Sequence, residues 1–419
     1  MPRGVLPRWR LRLGRAVRQP WFRATLYCAA GVLTALVAAV AQPHVPEDFA
    51  YAVGADAAGA ILNVLASSML AATTFSLTVM VTALGSASAV TPRATELLAQ
   101  DRVAQSALAT FLGAFLFAVV GIIALATGIY GRGGRVVLLG ATVAVIVLIV
   151  VTLLRWMQQL TRLGRVGATL RSVEEAAVKA MRLRREAPLM GGVPRLPGER
   201  APCPVFPATI GYVQHIDMAS LDAALGEGEE RVLDVDALPG AFVDPSRPLC
   251  WVPEGLDEAA VGRVRDAFLV GEAREFDHDP RFGLVVLAEI ASRALPPTVA
   301  DSGTAIAVLG TQLRVLWEWA QPQEEGEAGQ PAGHPRLRVP ALSPKDMLDD
   351  AFAPIARDGA GLIEVQLRLQ KALHSLAALA PETFGEAARH QARLALDHAE
   401  QALATPDDRE RLRAATLSA

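Results

Sequence analysis

The sequence predicts a membrane α-helical protein: four transmembrane helices, then a cytoplasmic α+β domain with a small β-barrel- or sandwich-like part and a helical carboxy-terminal part. Three observations predict it. Of 419 residues, 52% are hydrophobic and 20% charged, with a mean hydropathy of +0.31, where a soluble chain carries about 25% charged residues. Four apolar stretches in the opening third are long enough for a hydrocarbon core, which takes roughly 20 apolar residues in a helix. Charge also divides along the chain. Residues 1–161 hold 12 basic against 5 acidic residues, and the remainder 28 against 38.

The expected organisation is a transmembrane domain over 1–161, a connecting helix and linker over 162–207, a small β-rich domain over 208–255 and a helical domain over 256–419. The spans are expected near 24–41, 57–90, 103–130 and 136–154, with Trp21, Arg23, Arg155 and Trp156 as interfacial anchors. Ala39-Val40-Ala41 resembles a signal-peptide cleavage site, but the apolar run before it exceeds the usual length and more spans follow. The first span is expected to stay uncleaved.

Arginine at the short flanks sets the orientation. Seven lie between Arg3 and Arg23, two (Arg93, Arg102) between spans two and three, and four (Arg155, Arg162, Arg165, Arg171) beyond span four. The opposite side has only Arg132 and Arg135. A cytoplasmic (inner) membrane location with both termini cytoplasmic follows as the expectation.

Span two is the most informative. As one helix its 34 residues would be about 51 Å long, well beyond the core thickness. At helical spacing Asn63, Ser67, Ala71, Thr74, Thr78, Thr82, Gly85 and Ala89 form a stripe of small or hydroxylated residues, with Leu62, Leu70, Leu77, Met80 and Leu84 on another face. Two accounts fit. Small residues let helices pack closely and hydroxyls bond across them; alternatively the stripe lines water and replaces part of a solute's hydration shell. No ionisable residue lies mid-span, which counts against a proton relay. Span three repeats the habit with Thr110, Ala114, Ala118, Gly121 and Gly128, so spans two and three are expected partners.

Past the membrane, Leu163, Val166, Leu170, Val173, Ala177 and Met181 give an amphipathic helix over 162–186. Gly191–Pro207 reads as a linker. Strands are expected at Ala208–Asp217, Arg231–Asp236, Phe242-Val243 and Leu249–Val252, with a turn at Leu238–Ala241. Helices follow near Asp257–Val270, Pro280–Leu295, Asp301–Ala320, Pro344–Ile355, Gly361–Leu379 and Glu382–Ala404, with a flexible loop over Gln321–Gly333.

The linker Pro92-Arg93 … Asp101-Arg102, the start of span three at Phe111-x-Gly113-x-Phe115, the strand Gly211-Tyr-Val-Gln214 … Ile216-Asp217, and Arg274 … Asp279-Pro-x-Phe-Gly283 together resemble the domain of unknown function 2254 family of bacterial membrane proteins. So does Ala291-x-Arg293-Ala-Leu295 … Asp301-x-x-Thr304-Ala305. The resemblance covers nearly the whole chain. It implies a multi-span anchor with a cytoplasmic domain and no assigned reaction. Pro296-Pro297 and Ala300-Asp301-Ser302 stand where the family usually has Ser-Pro and Asn-Asp-Pro.

Candidate residues fall in two groups. Asn63, Ser67, Thr74, Thr78 and Thr82 are pore-lining or helix-packing candidates. Arg93, Asp101, Arg102, Arg274, Asp279, Arg293, Asp301 and Thr304 are candidates for a polar network in the cytoplasmic part. For Arg93, Asp101 and Arg102 a solvated charge cluster is the first reading, and pairing with each other or with the soluble half the second. For Arg274, Asp279, Arg293 and Asp301 structural pairing comes first, with Asp301 before Thr304 as a helix cap, and a ligand or partner site second. Asp277-His278-Asp279 reads as a solvated turn, since turn neighbours rarely converge on one metal. His390 and His398 are about 12 Å apart along a helix and, with His374, read as surface histidines. Cys28, Cys203 and Cys250 are too few and scattered for a disulfide framework or zinc site. There is no phosphate-binding loop, dinucleotide fingerprint, HExxH or GxSxG. No enzyme activity, metal or cofactor is expected, and an acidic second half argues against nucleic acid. The expected partners are the lipid bilayer and further copies of the chain. Two functions stay open: an oligomeric pore or transport-type protein with a cytoplasmic regulatory domain, or a membrane-anchored scaffold or sensor for a cytoplasmic protein or small ligand.

Overall fold

The computed structural model describes residues 57–95, 97, 101–127, 132–160, 165–195, 198, 200–228, 230–321 and 333–416, with scattered positions between 25 and 37. It is mostly helical, with three helices long and apolar enough to cross a membrane and a small amount of sheet. The first expected span, 24–41, falls largely outside the described residues; the described positions within it are helical. The chain separates into two compact units, with the boundary at Thr169 and Leu170.

The amino-terminal unit contains α1 (Ala57–Val90), a 3₁₀ turn (Pro92–Ala94), α2 (Arg102–Ala126) and α3 (Arg132–Leu160). These match the second to fourth expected spans, with α3 extended at both ends. Within the unit α2 is central: α1 and α3 both pack on it. Its buried Phe111, Ala114, Phe117 and Ala118 meet Leu62, Leu65 and Met69 of α1 and Leu138, Ile149 and Trp156 of α3 in one apolar core. The opposite side of α3 presents Val143, Val147, Leu148, Val150 and Leu154 outward, each about half exposed or more. A helix apolar all round suits a lipid solvent, since water would penalise that surface.

The carboxy-terminal unit is reached through α4 (Val166–Glu186). Beyond it lie β1 (Val193–Pro194), β2 (Cys203–Val205), β3 (Gly211–Ile216), α5 (Met218–Ala224), β4 (Leu233–Val235), β5 (Phe242–Val243), β6 (Cys250–Val252), α6 (Glu258–Ala267) and β7 (Phe268–Gly271). Next come α7 (Pro280–Ala294), α8 (Ser302–Ala320), β8 (Leu337–Val339), α9 (Pro344–Asp358), α10 (Ile363–Leu379), α11 (Pro381–Ala402) and α12 (Pro406–Ala415).

The strands form two open sheets, where the sequence suggested a barrel- or sandwich-like part. One is five-stranded and mixed, in the order β1-β8-β4-β6-β2, with β8 parallel to both β1 and β4. The other is three-stranded and antiparallel, β5-β3-β7. Both contribute to one core with α5 and α6, including Val213, Ile216, Leu221, Val235, Val252, Val264 and Leu337. Four strands lie where the sequence suggested otherwise. β1 and β2 fall in the expected linker and β8 beyond the flexible loop, because a two- or three-residue segment carries too little periodicity to read. β7 replaces the end of the helix expected over Asp257–Val270. The helix stops at Ala267, and Phe268-Leu-Val-Gly pairs with β3 instead, a tertiary ladder overriding local pattern.

A register shift between Val213 and His215 bulges β3. The extra residue breaks the in–out alternation, so His215 and Ile216 are both buried. Helices α7 to α11 pack side by side on Leu284, Leu287, Ile290, Leu309, Leu316, Phe352, Leu369 and Phe384, all at most 1% exposed. α12 closes against α10 through Leu412.

Candidate functional site

Two places emerge from the residues upward, one in each unit.

On α1 the ridge Leu62, Leu65, Met69, Ser76 and Ala87 is buried. At about 100° per residue the small-residue stripe falls on roughly the opposite side. Asn63, Ser67, Thr74, Thr78 and Thr82 are all exposed. Their polar groups turn back on the helix itself. Asn63 Nδ2 donates to Gly59 O (3.1 Å), Ser67 Oγ to Asn63 O (3.1 Å), Thr74 Oγ1 to Leu70 O (3.0 Å), Thr78 Oγ1 to Thr74 O (3.0 Å) and Thr82 Oγ1 to Thr78 O (2.9 Å). Each hydroxyl keeps its two lone pairs for another donor. The face expected to be apolar is divided: Leu62 is buried, Met80 and Leu84 are half-buried, while Leu70 and Leu77 are about half exposed.

The matching stripe on α2 behaves differently. Thr110, Ala114, Ala118 and Gly121 are buried, and Thr110 Oγ1 donates to Ser106 O (2.8 Å). A Cβ on Gly121 would stand 3.0 Å from Leu62 Cδ1 and 3.5 Å from Leu138 Cδ1. Gly128 lies outside the described residues.

Of the linker residues, Asp101 caps α2, accepting from Ala104 N (2.8 Å), and its second oxygen accepts from Gln159 Nε2 of α3 (2.9 Å). Arg93 sits exposed on the 3₁₀ turn, its N–H bonded to Thr91 Oγ1. The Arg102 side chain lies outside the described residues.

In the carboxy-terminal unit, Arg274 and Asp279 come together and are largely buried. Asp279 is 3% exposed and opens α7, with Pro280 at the first helical position. One oxygen accepts from Arg281 N and Phe282 N (both 3.1 Å) and the other from Arg274 Nε (2.7 Å). Gly240 presses on the same carboxylate from the turn after β4. At φ +93° its backbone takes a conformation other residues avoid, and a Cβ there would collide with the Asp279 side chain. Burial pushes the Asp279 carboxyl above the usual carboxylate range, against the pull of Arg274 and the two backbone N–H groups. Gly283, one turn on, lets α7 approach α4 so closely that a Cβ would overlap Ala177. His278 precedes Asp279 and lays its ring against that of His215, centroids 4.6 Å apart. Asp277 pairs with Lys179 (3.0 Å).

The remaining network candidates lie elsewhere. Arg293 pairs along its own helix with Glu289 (3.2 Å). Asp301 caps α8, accepting from Thr304 N (3.0 Å) and Thr304 Oγ1 (2.6 Å), which holds its carboxyl below the usual range. Within the carboxy-terminal unit these are local caps and pairs, separate from the Arg274–Asp279 pair.

One member of the buried group is missing from the sequence reading. Arg184, in the last turn of α4, is 6% exposed. The signal was there: the buried series Val173, Ala177, Ala180, Met181 continues at helical spacing to position 184, where the sequence has arginine. The long-range pairs Arg338–Asp234, Arg336–Asp222 and Arg314–Glu174 were also invisible, because their partners lie over a hundred residues apart.

Among the described residues no group of His, Cys, Asp or Glu is arranged to hold a metal ion. A family model described as predicted membrane protein, of unknown function, matches residues 18–375. No curated protein and no solved structure matches the chain.

Proposed function

The chain belongs to the domain of unknown function 2254 family of predicted membrane proteins, and from that premise we propose that it is a multi-pass protein of the cytoplasmic membrane. It assembles as a homo-oligomer in which the α1 helices face a shared pore or transport path. The carboxy-terminal unit is its cytoplasmic regulatory part, and the flanking arginines favour both termini on that side. The lipid bilayer and further copies of the chain are its partners; nucleic acid, a cofactor and a catalytic step have no part in the reading.

One observation carries it. α1 buries its apolar ridge within the unit and leaves its hydroxyl face outward. Hydrocarbon offers nothing to Asn63 or to lone pairs on a row of hydroxyls, whereas water or a second copy of α1 does. Back-bonding to the preceding turn leaves the oxygens acceptor-rich, which suits partial replacement of a hydration shell.

The experiment is flux through liposomes reconstituted with the intact protein under several ion gradients, beside the double variant Thr74→Leu, Thr78→Leu. Saturable flux lost in the assembled variant is the expected result. No flux under any gradient would remove the pore reading. Unchanged flux in an assembled variant would assign the stripe to packing between copies.

The buried Arg274–Asp279 group favours a second reading, a membrane-anchored scaffold or sensor whose carboxy-terminal unit binds a cytoplasmic protein or small ligand. Ligand binding without flux is the outcome that would select it.

A further inference from the structure

Three arginines follow one another closely at the end of α4, and two of them are paired. Arg182 and Arg185 both reach Glu318, at 3.0 and 3.2 Å, and Arg185 also donates to the Glu318 backbone oxygen (2.8 Å). Arg184 points the other way, into the apolar series of the helix. It is 6% exposed, and its Nε and Nη2 have no acceptor among the described residues. These two nitrogens share one edge of the guanidinium plane, the edge that grips a carboxylate or phosphate through two parallel hydrogen bonds. A buried guanidinium with that edge unmet is costly, because nothing replaces the water it gave up.

The nearby carboxylate does not resolve the cost. Asp279 acts on Arg184 through its field, but both of its oxygens are engaged by Arg274 and two backbone N–H groups. Two guanidinium groups thus share one carboxylate. Burial draws the Arg184 pKa down to about 10 against the field of Asp279, so the group is still a cation at neutral pH. The loop over 272–278, which brings Arg274 to Asp279, is exposed or half-buried.

We propose that the Arg184 fork anchors a binding site for a small oxyanion, the phosphoryl or carboxylate group of a ligand, beside the Arg274–Asp279 pair. The anion supplies the two acceptors the fork lacks and balances the excess positive charge. The site would give the carboxy-terminal unit something to sense, and it stands whether or not α1 lines a pore.

The test is thermal unfolding of the full-length protein in a neutral detergent. Inorganic phosphate, acetate and a short-chain phosphatidic acid are titrated separately against chloride at equal ionic strength. A saturable rise for at least one oxyanion is expected, roughly 3–5 °C at a hundredfold excess over the dissociation constant. A response to phosphatidic acid alone assigns a lipid headgroup; a response to phosphate or acetate assigns a soluble ligand. Arg184→Met fills the same space without charge and is expected to lose the response while unfolding no earlier than the unliganded wild type. Arg184→Lys keeps the charge without the fork and serves if the Met variant fails to fold; its apparent affinity should fall at least about tenfold, the loss of one good hydrogen bond. No oxyanion response beyond chloride, or an undiminished response in the folded variant, overturns the site.

Discussion

α1 and α2 carry the same sequence device, small and hydroxylated residues repeating at helical spacing, and the fold puts the two stripes in opposite environments. On α2 the stripe is inside: Ala114, Ala118 and Gly121 let Leu62 and Leu138 approach. On α1 the corresponding stripe is outside, and the contact with α2 is made by Leu62, Leu65 and Met69. Small residues on a helix therefore do not by themselves mean helix packing. Within one chain the same pattern can mark a contact or a free face, and only the neighbour decides. The carboxy-terminal unit repeats the lesson with two aspartates. Asp279 and Asp301 both cap helices, yet one is buried beside an arginine and the other is solvated.

That contrast can be broken by substitution. The largest effect is expected at Asp279. Its replacement by alanine removes a cap, strands Arg274 and leaves Arg184 without its one countering field, at a cost of about 3–5 kcal/mol. Denaturant unfolding of the purified protein measures it, and a cost under ~1 kcal/mol would mean the pair is not buried in solution. Next comes Ala118→Leu on α2, where overpacking should cost about 1–3 kcal/mol, read as a lower melting point in detergent. Asp301→Ala should cost only about 1 kcal/mol, the usual worth of an exposed cap. The smallest change in stability belongs to Thr74→Leu with Thr78→Leu, within about ±0.5 kcal/mol per outward position, although this is the pair expected to abolish flux. Equal destabilisation by the α1 and α2 variants would erase the distinction between the faces.

Acid should separate the two aspartates as well. The Asp279 carboxyl lies above its unfolded value, so the native state holds a proton more readily than the unfolded chain. Its contribution improves as pH falls through that raised value and is complete below the ordinary carboxylate range. The Asp301 carboxyl lies below its unfolded value; its contribution is complete above the ordinary carboxylate range and is lost as pH falls through the lowered one. Measured against pH, the stability margin of wild type over Asp279→Asn should widen on acidification, while that over Asp301→Asn should shrink. Parallel curves would show that the two sites share one environment.

Much of the fold was legible in advance where a single segment carries its own signal. Helices α1, α7, α8 and α10 follow from long apolar periodicity, from Asp279-Pro280 and from Asp301 at the start of a helix. The strands β1, β2, β7 and β8 were not legible: they are two to four residues long and exist because a distant partner supplies their hydrogen bonds. The candidate polar network was half legible. Pairing of Arg274 with Asp279 and of Asp301 with Thr304 is local, five and three residues apart. The arginine in the apolar series of α4 broke a pattern that could have been noticed. Its neighbour Asp279 is 95 positions away, and no sequence spacing announces that proximity.

Hydrophobic run length and short-range capping act within a turn or two of the chain, so the amino acids alone determined three long apolar helices, the starts of the later helices and membership of a membrane-protein family. Which face of α1 meets α2, which strands join β4, and which charges share the space beside Asp279 depend on residues far apart in sequence. Burial and Coulomb energy are properties of the assembled neighbourhood, and that neighbourhood exists only in the tertiary structure.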